Sequence, residues 1–124
     1  MKNFSKTLLL TLAGCVIFGA GALIGAHHID RPNTVIHVVT LDWKADATPA
    51  QIDAALEGVA NMSYPGLKSV WLRSIKSQTK QAAFAMEFES EKALADYAGS
   101  EAQEAWYKLY LPIREASVTS DITN

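Results

Sequence analysis

The segment Thr34 to Leu41, TVIHVVTL, constrains this chain most, because both of its alternating faces are apolar apart from His37 and Thr40. Successive side chains of a β-strand point to opposite faces of the sheet, so a strand of this composition is typically buried on both faces. Pro32 and Asn33 precede the segment and favour a break in the chain. The sequence therefore predicts a strand that needs apolar cover on two sides.

Three helices are marked by a capping residue at their start. Thr48 and Ser100 are each followed three residues later by a glutamine, which is the spacing of a capping box. Ser90 can cap a shorter helix that runs to Tyr97 and is broken at Gly99. The two helices that begin with a capping box carry apolar residues three and four positions apart, so each is expected to bury one face.

Three further segments have the composition of strands, and they span residues 67–77, 82–88 and 116–123. The helices that begin at Ser90 and Ser100 together make up the second helical segment of the resulting order, β-α-β-β-α-β. This order predicts an α+β fold with a ferredoxin-like, four-stranded antiparallel sheet. Its helices are expected to cover one face of that sheet. The opposite face would expose too much apolar surface for a lone domain, so we expect a second copy to cover it, giving a homodimeric α/β barrel.

Several short strings occur along this predicted domain: Ile36-His37-Val38-Val39, Tyr64-Pro65-Gly66-Leu67, Phe88-Glu89-Ser90-Glu91 before Tyr97, Leu109 to Pro112, and Asp121. Their order and spacing resemble the stress-responsive A/B barrel (Dabb) family of the dimeric α/β-barrel superfamily. The resemblance covers residue 34 to about residue 123. It implies a homodimer, and it implies no single chemistry.

Some members of that family are similar in outline to plant polyketide cyclases, whose cavity uses two histidines and a tyrosine. The resemblance places His37 on the first histidine and Tyr97 on the tyrosine. Gln103 stands where the second histidine would be, and Ser100-Glu101 replaces the preceding His-Pro pair. The resemblance therefore implies that His37, Tyr97 and Gln103 contact a ligand, with His37 as the candidate catalytic residue.

Two functions from different classes follow from these residues. One is a small-molecule-binding or stress-related module without turnover, whose ligand is small and largely apolar. The alternative is a small lyase, cyclase or cofactor-free oxygenase that uses His37 as a general base and Tyr97 as a hydrogen-bond donor. The sequence holds no P-loop, dinucleotide fingerprint, nucleophile elbow or zinc motif, so neither a cofactor nor a metal site is expected.

The N-terminus contains a run of 20 residues without charge, Thr7 to Ala26, after a basic start. Such a run is long enough to cross a bilayer as a helix. Three interpretations remain open: a retained membrane anchor, a cleaved signal peptide, and a lipoprotein signal processed at Cys15, where Leu12 to Cys15 resembles the bacterial lipobox. All three predict export, with the folded part membrane-anchored or periplasmic.

This organisation divides the chain into a signal peptide or membrane anchor at 1–26, a linker at 27–33 and a folded domain at 34–124. The whole chain has 11 basic and 13 acidic residues. Without Lys2 and Lys6, the remainder has 9 basic and 13 acidic residues, a net charge of −4. A nucleic-acid partner is not expected, because phosphate binding needs a basic surface.

Overall fold

A computed structural model of the chain describes residues 29–124. The expected N-terminal hydrophobic helix, Cys15 and the first two residues of the linker lie outside the described residues. Within residues 29–124, no helix is both long enough and apolar enough to span a bilayer.

The elements of the described part are β1 (Val35–Trp43), α1 (Pro49–Ala60), β2 (Leu67–Trp71), β3 (Ala82–Phe88), α2 (Glu91–Tyr97), α3 (Glu101–Tyr110) and β4 (Arg114–Ile122). This confirms the ferredoxin-like α+β fold. The second helical segment is split into α2 and α3 at Gly99, whose φ is 78°. A left-handed backbone of this kind ends a helix and favours glycine.

An N-cap hydrogen bond is present at all three predicted helix starts, but the capping box predicted at Ser100 is not closed, because the Gln103 side chain accepts from the Gly99 N–H instead of the Ser100 N–H. The Thr48 hydroxyl accepts a hydrogen bond from the Gln51 backbone N–H at 3.3 Å, and the Gln51 side chain accepts one from the Thr48 N–H at 2.9 Å. Ser90 and Ser100 accept hydrogen bonds in the same way, from the N–H groups three residues later in each helix. The caps satisfy backbone donors that have no partner inside the helix.

The four strands form one antiparallel sheet in the order β2-β3-β1-β4. Directly opposite residues of paired strands share a face of the sheet. On β1, His37 lies opposite Met86 of β3 on one side and opposite Asp121 of β4 on the other. These pairings bring residues 84 positions apart in sequence to the same place on the sheet.

The core lies between the sheet and the helices and is built from alternate residues of β1 and β3, chiefly Val39, Leu41, Phe84, Met86 and Phe88. The α1 and α3 helices are tied together by the Trp106 indole N–H, which donates to the Ala55 carbonyl at 3.0 Å. The Trp106 ring also stacks on Tyr110, with centroids 4.5 Å apart. The aromatic residues of α3 therefore serve mainly in packing.

The other face of the sheet, here called the open face, has no helix of residues 29–124 packed on it. Its central residues are Ile36 and Val38, which alternate with the buried residues of β1. Towards the edges, Trp71 is 49% exposed, and Val118 and Ile122 are each 58% exposed. The face thus carries an apolar centre and exposed apolar side chains on both edge strands.

The prediction for the second strand was wrong at its C-terminal end. A strand was expected over Leu67–Ser77, whereas β2 ends at Trp71 and residues 72–81 form a loop. The pairing of β2 with β3 extends only to Ala85, opposite Trp71. Leu72 then packs against the core rather than continuing the strand. Arg73 and Lys76, which the expected strand included, therefore lie in the loop.

Candidate functional site

A cavity of about 510 Å³ lies between α2 and the paired ends of β1 and β4. The lining residues come from both strands, from α2 and from the start of α3: Val35, His37, Glu91, Leu94, Ala95, Tyr97, Ala98, Gln103, Asp121, Ile122 and Thr123. All three residues predicted to contact a ligand are in this set. The fold therefore brings His37, Tyr97 and Gln103 together at one cavity.

The imidazole of His37 is held by Asp121 across the β1–β4 ladder. Nδ1 of His37 and Oδ1 of Asp121 are 2.6 Å apart. The carboxylate accepts this hydrogen bond, so it favours the tautomer in which Nδ1 carries the proton. Among residues 29–124, no protein group hydrogen-bonds to Nε2 of His37. Nε2 is therefore without a protein partner in this part of the chain, on a side chain that lines the cavity.

The phenol of Tyr97 is 1% exposed, and its hydroxyl has no hydrogen-bond partner among the described residues. The ring packs against Tyr64 and Phe88, with both centroid distances at 5.2 Å. Burial raises the pKa of the Tyr97 hydroxyl well above its ordinary value, and Tyr107 and Tyr64 raise it further. This hydroxyl is a neutral donor at physiological pH.

The side-chain amide of Gln103 is oriented by the turn between α2 and α3. Its Oε1 accepts a hydrogen bond from the Gly99 N–H at 2.7 Å. Because the oxygen is committed to the backbone, the amide NH₂ remains as the group for a ligand. Gln103 can therefore donate a hydrogen bond into the cavity, although it cannot carry a proton as a histidine would.

The family described as Stress responsive A/B Barrel Domain matches residues 35–124. The chain belongs to this family. The match covers all four strands and all three helices of the described part, so the Dabb domain includes the cavity. The comparison with curated proteins found no match.

Solved structures share the fold of this Dabb domain. A hypothetical Arabidopsis thaliana protein is 22% identical, with a TM-score of 0.64 over 81% of this chain and 96% of that chain. A dimeric ferredoxin-like protein of unknown function from Thermobifida fusca is 16% identical, with a TM-score of 0.62 over 79% and 100%. The hydroxynitrile lyase from Passiflora edulis is 21% identical, with a TM-score of 0.61 over 73% and 93%. At these identities the similarity shows the fold alone.

Two acidic lining residues were not predicted as parts of the site. Asp121 and Glu91 both belong to the strings that carry the family resemblance, and neither was assigned to the ligand site. Asp121 reaches the site because it lies directly opposite His37 on β4. This pairing cannot be read from the sequence alone. Among residues 29–124, no three His, Cys, Asp or Glu side chains come together as a metal site would require.

Proposed function

We propose that this chain is an exported or membrane-tethered, homodimeric Dabb domain that binds a small, largely apolar, uncharged molecule in the cavity. The observation that carries this proposal is the convergence of His37, Tyr97 and Gln103 on one cavity of about 510 Å³. Cavities of this size are typical of small-molecule sites, which combine apolar walls with a few polar groups.

The lining supports a ligand that is apolar over most of its surface. Its apolar members come from β1, from α2 and the residue after it, and from β4: Val35, Leu94, Ala95, Ala98 and Ile122. The charged members are Glu91 and Asp121, both acidic, and the lining contains no lysine or arginine. An anionic ligand would lose its hydration and meet only like charge, so the cavity should disfavour it.

The polar groups support a ligand that carries a carbonyl oxygen. Tyr97 offers a buried hydroxyl, and Gln103 offers an amide NH₂ whose orientation is fixed by Gly99. Both groups donate hydrogen bonds, whereas His37 presents the acceptor Nε2. A carbonyl compound with an adjacent C–H or O–H group would satisfy all three groups at once.

Phenylacetone and phenylacetate provide a matched pair of probes, since they share a benzyl group and differ in an uncharged ketone against a carboxylate. We expect NMR titration of the full chain to shift the signals of Leu94, Ala95 and Ala98 with phenylacetone. Phenylacetate should bind at least about tenfold more weakly, which corresponds to about 1.4 kcal/mol. If neither probe perturbs the cavity signals, the binding proposal fails.

The proposed homodimer is supported by the open face, where Ile36 and Val38 lie at the centre and Val118 and Ile122 on the edge strand. An isologous interface would place each apolar strand face against its copy.

The proposed export is supported by the charge-free run at Thr7 to Ala26. The mass of the mature N-terminus distinguishes a retained anchor, a cleaved signal peptide and a lipoprotein modified at Cys15.

A second candidate function is a lyase, cyclase or cofactor-free oxygenase, and the 2.6 Å hydrogen bond between His37 and Asp121 favours it. In the first step, Nε2 of His37 would take a proton from the carbon next to a carbonyl. The electron pair of the broken C–H bond would form a C=C bond to the carbonyl carbon, and the π pair of the carbonyl would move to its oxygen, where Tyr97 and Gln103 can donate hydrogen bonds. Asp121 would stabilise the imidazolium that forms.

Proton exchange tests this candidate without knowledge of the natural substrate. The full chain should accelerate incorporation of deuterium into the methylene group of phenylacetone in heavy water. His37→Ala should remove the acceleration, and Asp121→Asn should reduce it, because general bases contribute about a hundredfold or more. A rate unchanged by His37→Ala would exclude His37 as a catalytic residue and leave only the binding function.

A further inference from the structure

The basic residues of this domain are concentrated in one part of the chain. Between Glu57 and Glu87 there is no acidic residue, and the segment contains four basic ones: Lys68, Arg73, Lys76 and Lys80. All 13 acidic residues of the protein lie outside this segment. Lys68 lies on β2, whereas Arg73, Lys76 and Lys80 lie in the loop of residues 72–81, so three of the four belong to one loop.

The loop of residues 72–81 is fastened at both ends. At its start, Leu72 packs against the core. At its end, the Lys80 ammonium donates to Oδ2 of Asp42 at 2.6 Å, and the Gln81 backbone N–H donates to Oδ1 of Asp42 at 3.0 Å. The side chain of Gln81 in turn accepts from the Trp43 N–H at 3.1 Å. The ends are therefore fixed on the sheet, and the tip between them is presented outward.

The tip carries an apolar side chain between two cations. Ile75 is 98% exposed and lies between Arg73 and Lys76, both exposed. Within residues 29–124, no carboxylate forms an ion pair with Lys68, Arg73 or Lys76, whereas Lys80 is paired with Asp42. An exposed aliphatic residue flanked by unpaired cations matches the surface of an anionic bilayer, which offers negative headgroups above hydrocarbon.

The tip lies at the opposite end of the sheet from the cavity. It lies at the end of the sheet where β1 finishes, since Leu41 pairs with Ala82 at the loop's exit. The cavity lies at the opposite end, beside Val35 and His37. The open face ends on β2 at Trp71, before the loop begins. Contact at the tip would therefore leave the cavity unobstructed.

We propose that the tip of residues 73–76 contacts anionic phospholipid, with Ile75 entering the headgroup region and Arg73 and Lys76 binding phosphate groups. The inference does not depend on ligand binding in the cavity. Its electrostatic part should weaken at high salt, because exposed charges are screened.

A local probe tests this contact in the full chain, whose N-terminal segment could bind lipid by itself. In a Cys15→Ser background, Ile75→Cys provides one thiol for an environment-sensitive nitrobenzoxadiazole label. Vesicles containing phosphatidylcholine and phosphatidylglycerol in equal amounts should shift its emission to the blue, and high salt should reverse the shift. Vesicles of phosphatidylcholine alone should give little change. The same label at Asp53→Cys, on the exposed side of α1, should not respond to either vesicle.

Charge variants give the matched control. The double variant Arg73→Gln/Lys76→Gln should abolish the blue shift. The control double variant Lys92→Gln/Lys108→Gln removes two positive charges elsewhere on the domain and should preserve the shift. No shift with anionic vesicles would overturn the proposal. A blue shift that needs no vesicles and grows with protein concentration would also overturn it, because a second copy would then cover Ile75.

Discussion

The hydroxyl of Tyr97 is buried and has no hydrogen-bond partner among residues 29–124, although its ring is well packed. An unsatisfied buried hydroxyl costs about 1–3 kcal/mol. Tyr97→Phe should therefore leave the free energy of unfolding unchanged or raise it by about 1 kcal/mol. The same variant should weaken phenylacetone binding about fivefold to tenfold, since the donor is lost.

Chemical denaturation and NMR titration check the two halves of this prediction. Tyr107→Phe is the control, because Tyr107 lies on α3 and does not line the cavity. Its substitution should leave phenylacetone affinity unchanged. A Tyr97→Phe variant that loses stability and keeps its affinity would show that the hydroxyl serves the fold rather than a ligand.

At the residue scale, the sequence predicted which side chains meet at the cavity but not how His37 is held. His37, Tyr97 and Gln103 could be placed through the resemblance, because each lies at a defined position in a predicted element. The partner Asp121 depends on the register between β1 and β4 across 84 positions. Register is set by the packing of the whole sheet, so local sequence does not reveal it.

The turn from α1 into β2 depends on the close approach of Gly66 to α2. Gly66 has φ of 84°, and a Cβ added there would lie 2.7 Å from the Ala93 Cβ. Gly66→Ala should destabilise the domain by about 2–4 kcal/mol, through both backbone strain and the clash. Gly99 has φ of 78° with nothing within 4 Å of an added Cβ. Gly99→Ala should therefore lower the free energy of unfolding by only about 1 kcal/mol. Chemical denaturation measures both variants, and an equal decrease for Gly66→Ala and Gly99→Ala would contradict the proposed clash at Gly66.

The loop of residues 72–81 is attached to β1 by Asp42, and this attachment should depend on pH. Hydrogen bonds from the Lys80 side chain and then the Gln81 backbone lower the pKa of Asp42 below its ordinary value of 3.8. A lowered folded-state pKa means that the stabilisation is complete above the unfolded pKa and is lost as pH falls through the folded value.

Asp42→Asn should accordingly reduce stability most near neutral pH. The difference in free energy of unfolding from the wild type should shrink between about pH 5 and about pH 2. Denaturation curves across that range measure it. Asp53→Asn, at an exposed position of α1, is the control and should show no comparable trend. A difference that stays constant with pH would mean that the Asp42 carboxylate contributes no charge-dependent stability.

At the element scale, helix starts were easier to predict than strand ends. Thr48, Ser90 and Ser100 act through hydrogen bonds to residues three positions away, so their caps are visible in the sequence. The end of β2 is a tertiary property, because its pairing stops at Trp71 opposite Ala85 although β3 extends to Ala82. Residues 72–77 were expected to continue the strand, yet they form a loop in which Leu72 packs against the core.

At the scale of the whole molecule, the domain is a sheet with helices on one face and the open face on the other. The core lies under the helix-covered face and includes Leu41 and Phe88, whose exposed fraction is 0%. The open face carries Ile36 and Val38 at its centre, a composition that favours a partner. We propose that a second copy of this chain covers it.

The mass of the full chain in detergent solution, measured by sedimentation equilibrium at micromolar concentration, tests this claim most directly. Val38→Lys places a charge at the centre of the open face, and Leu109→Lys is the control on the exposed surface of α3. We predict two chains per particle for the wild type and for Leu109→Lys, and a folded single chain for Val38→Lys. A wild-type particle of one chain would contradict the account.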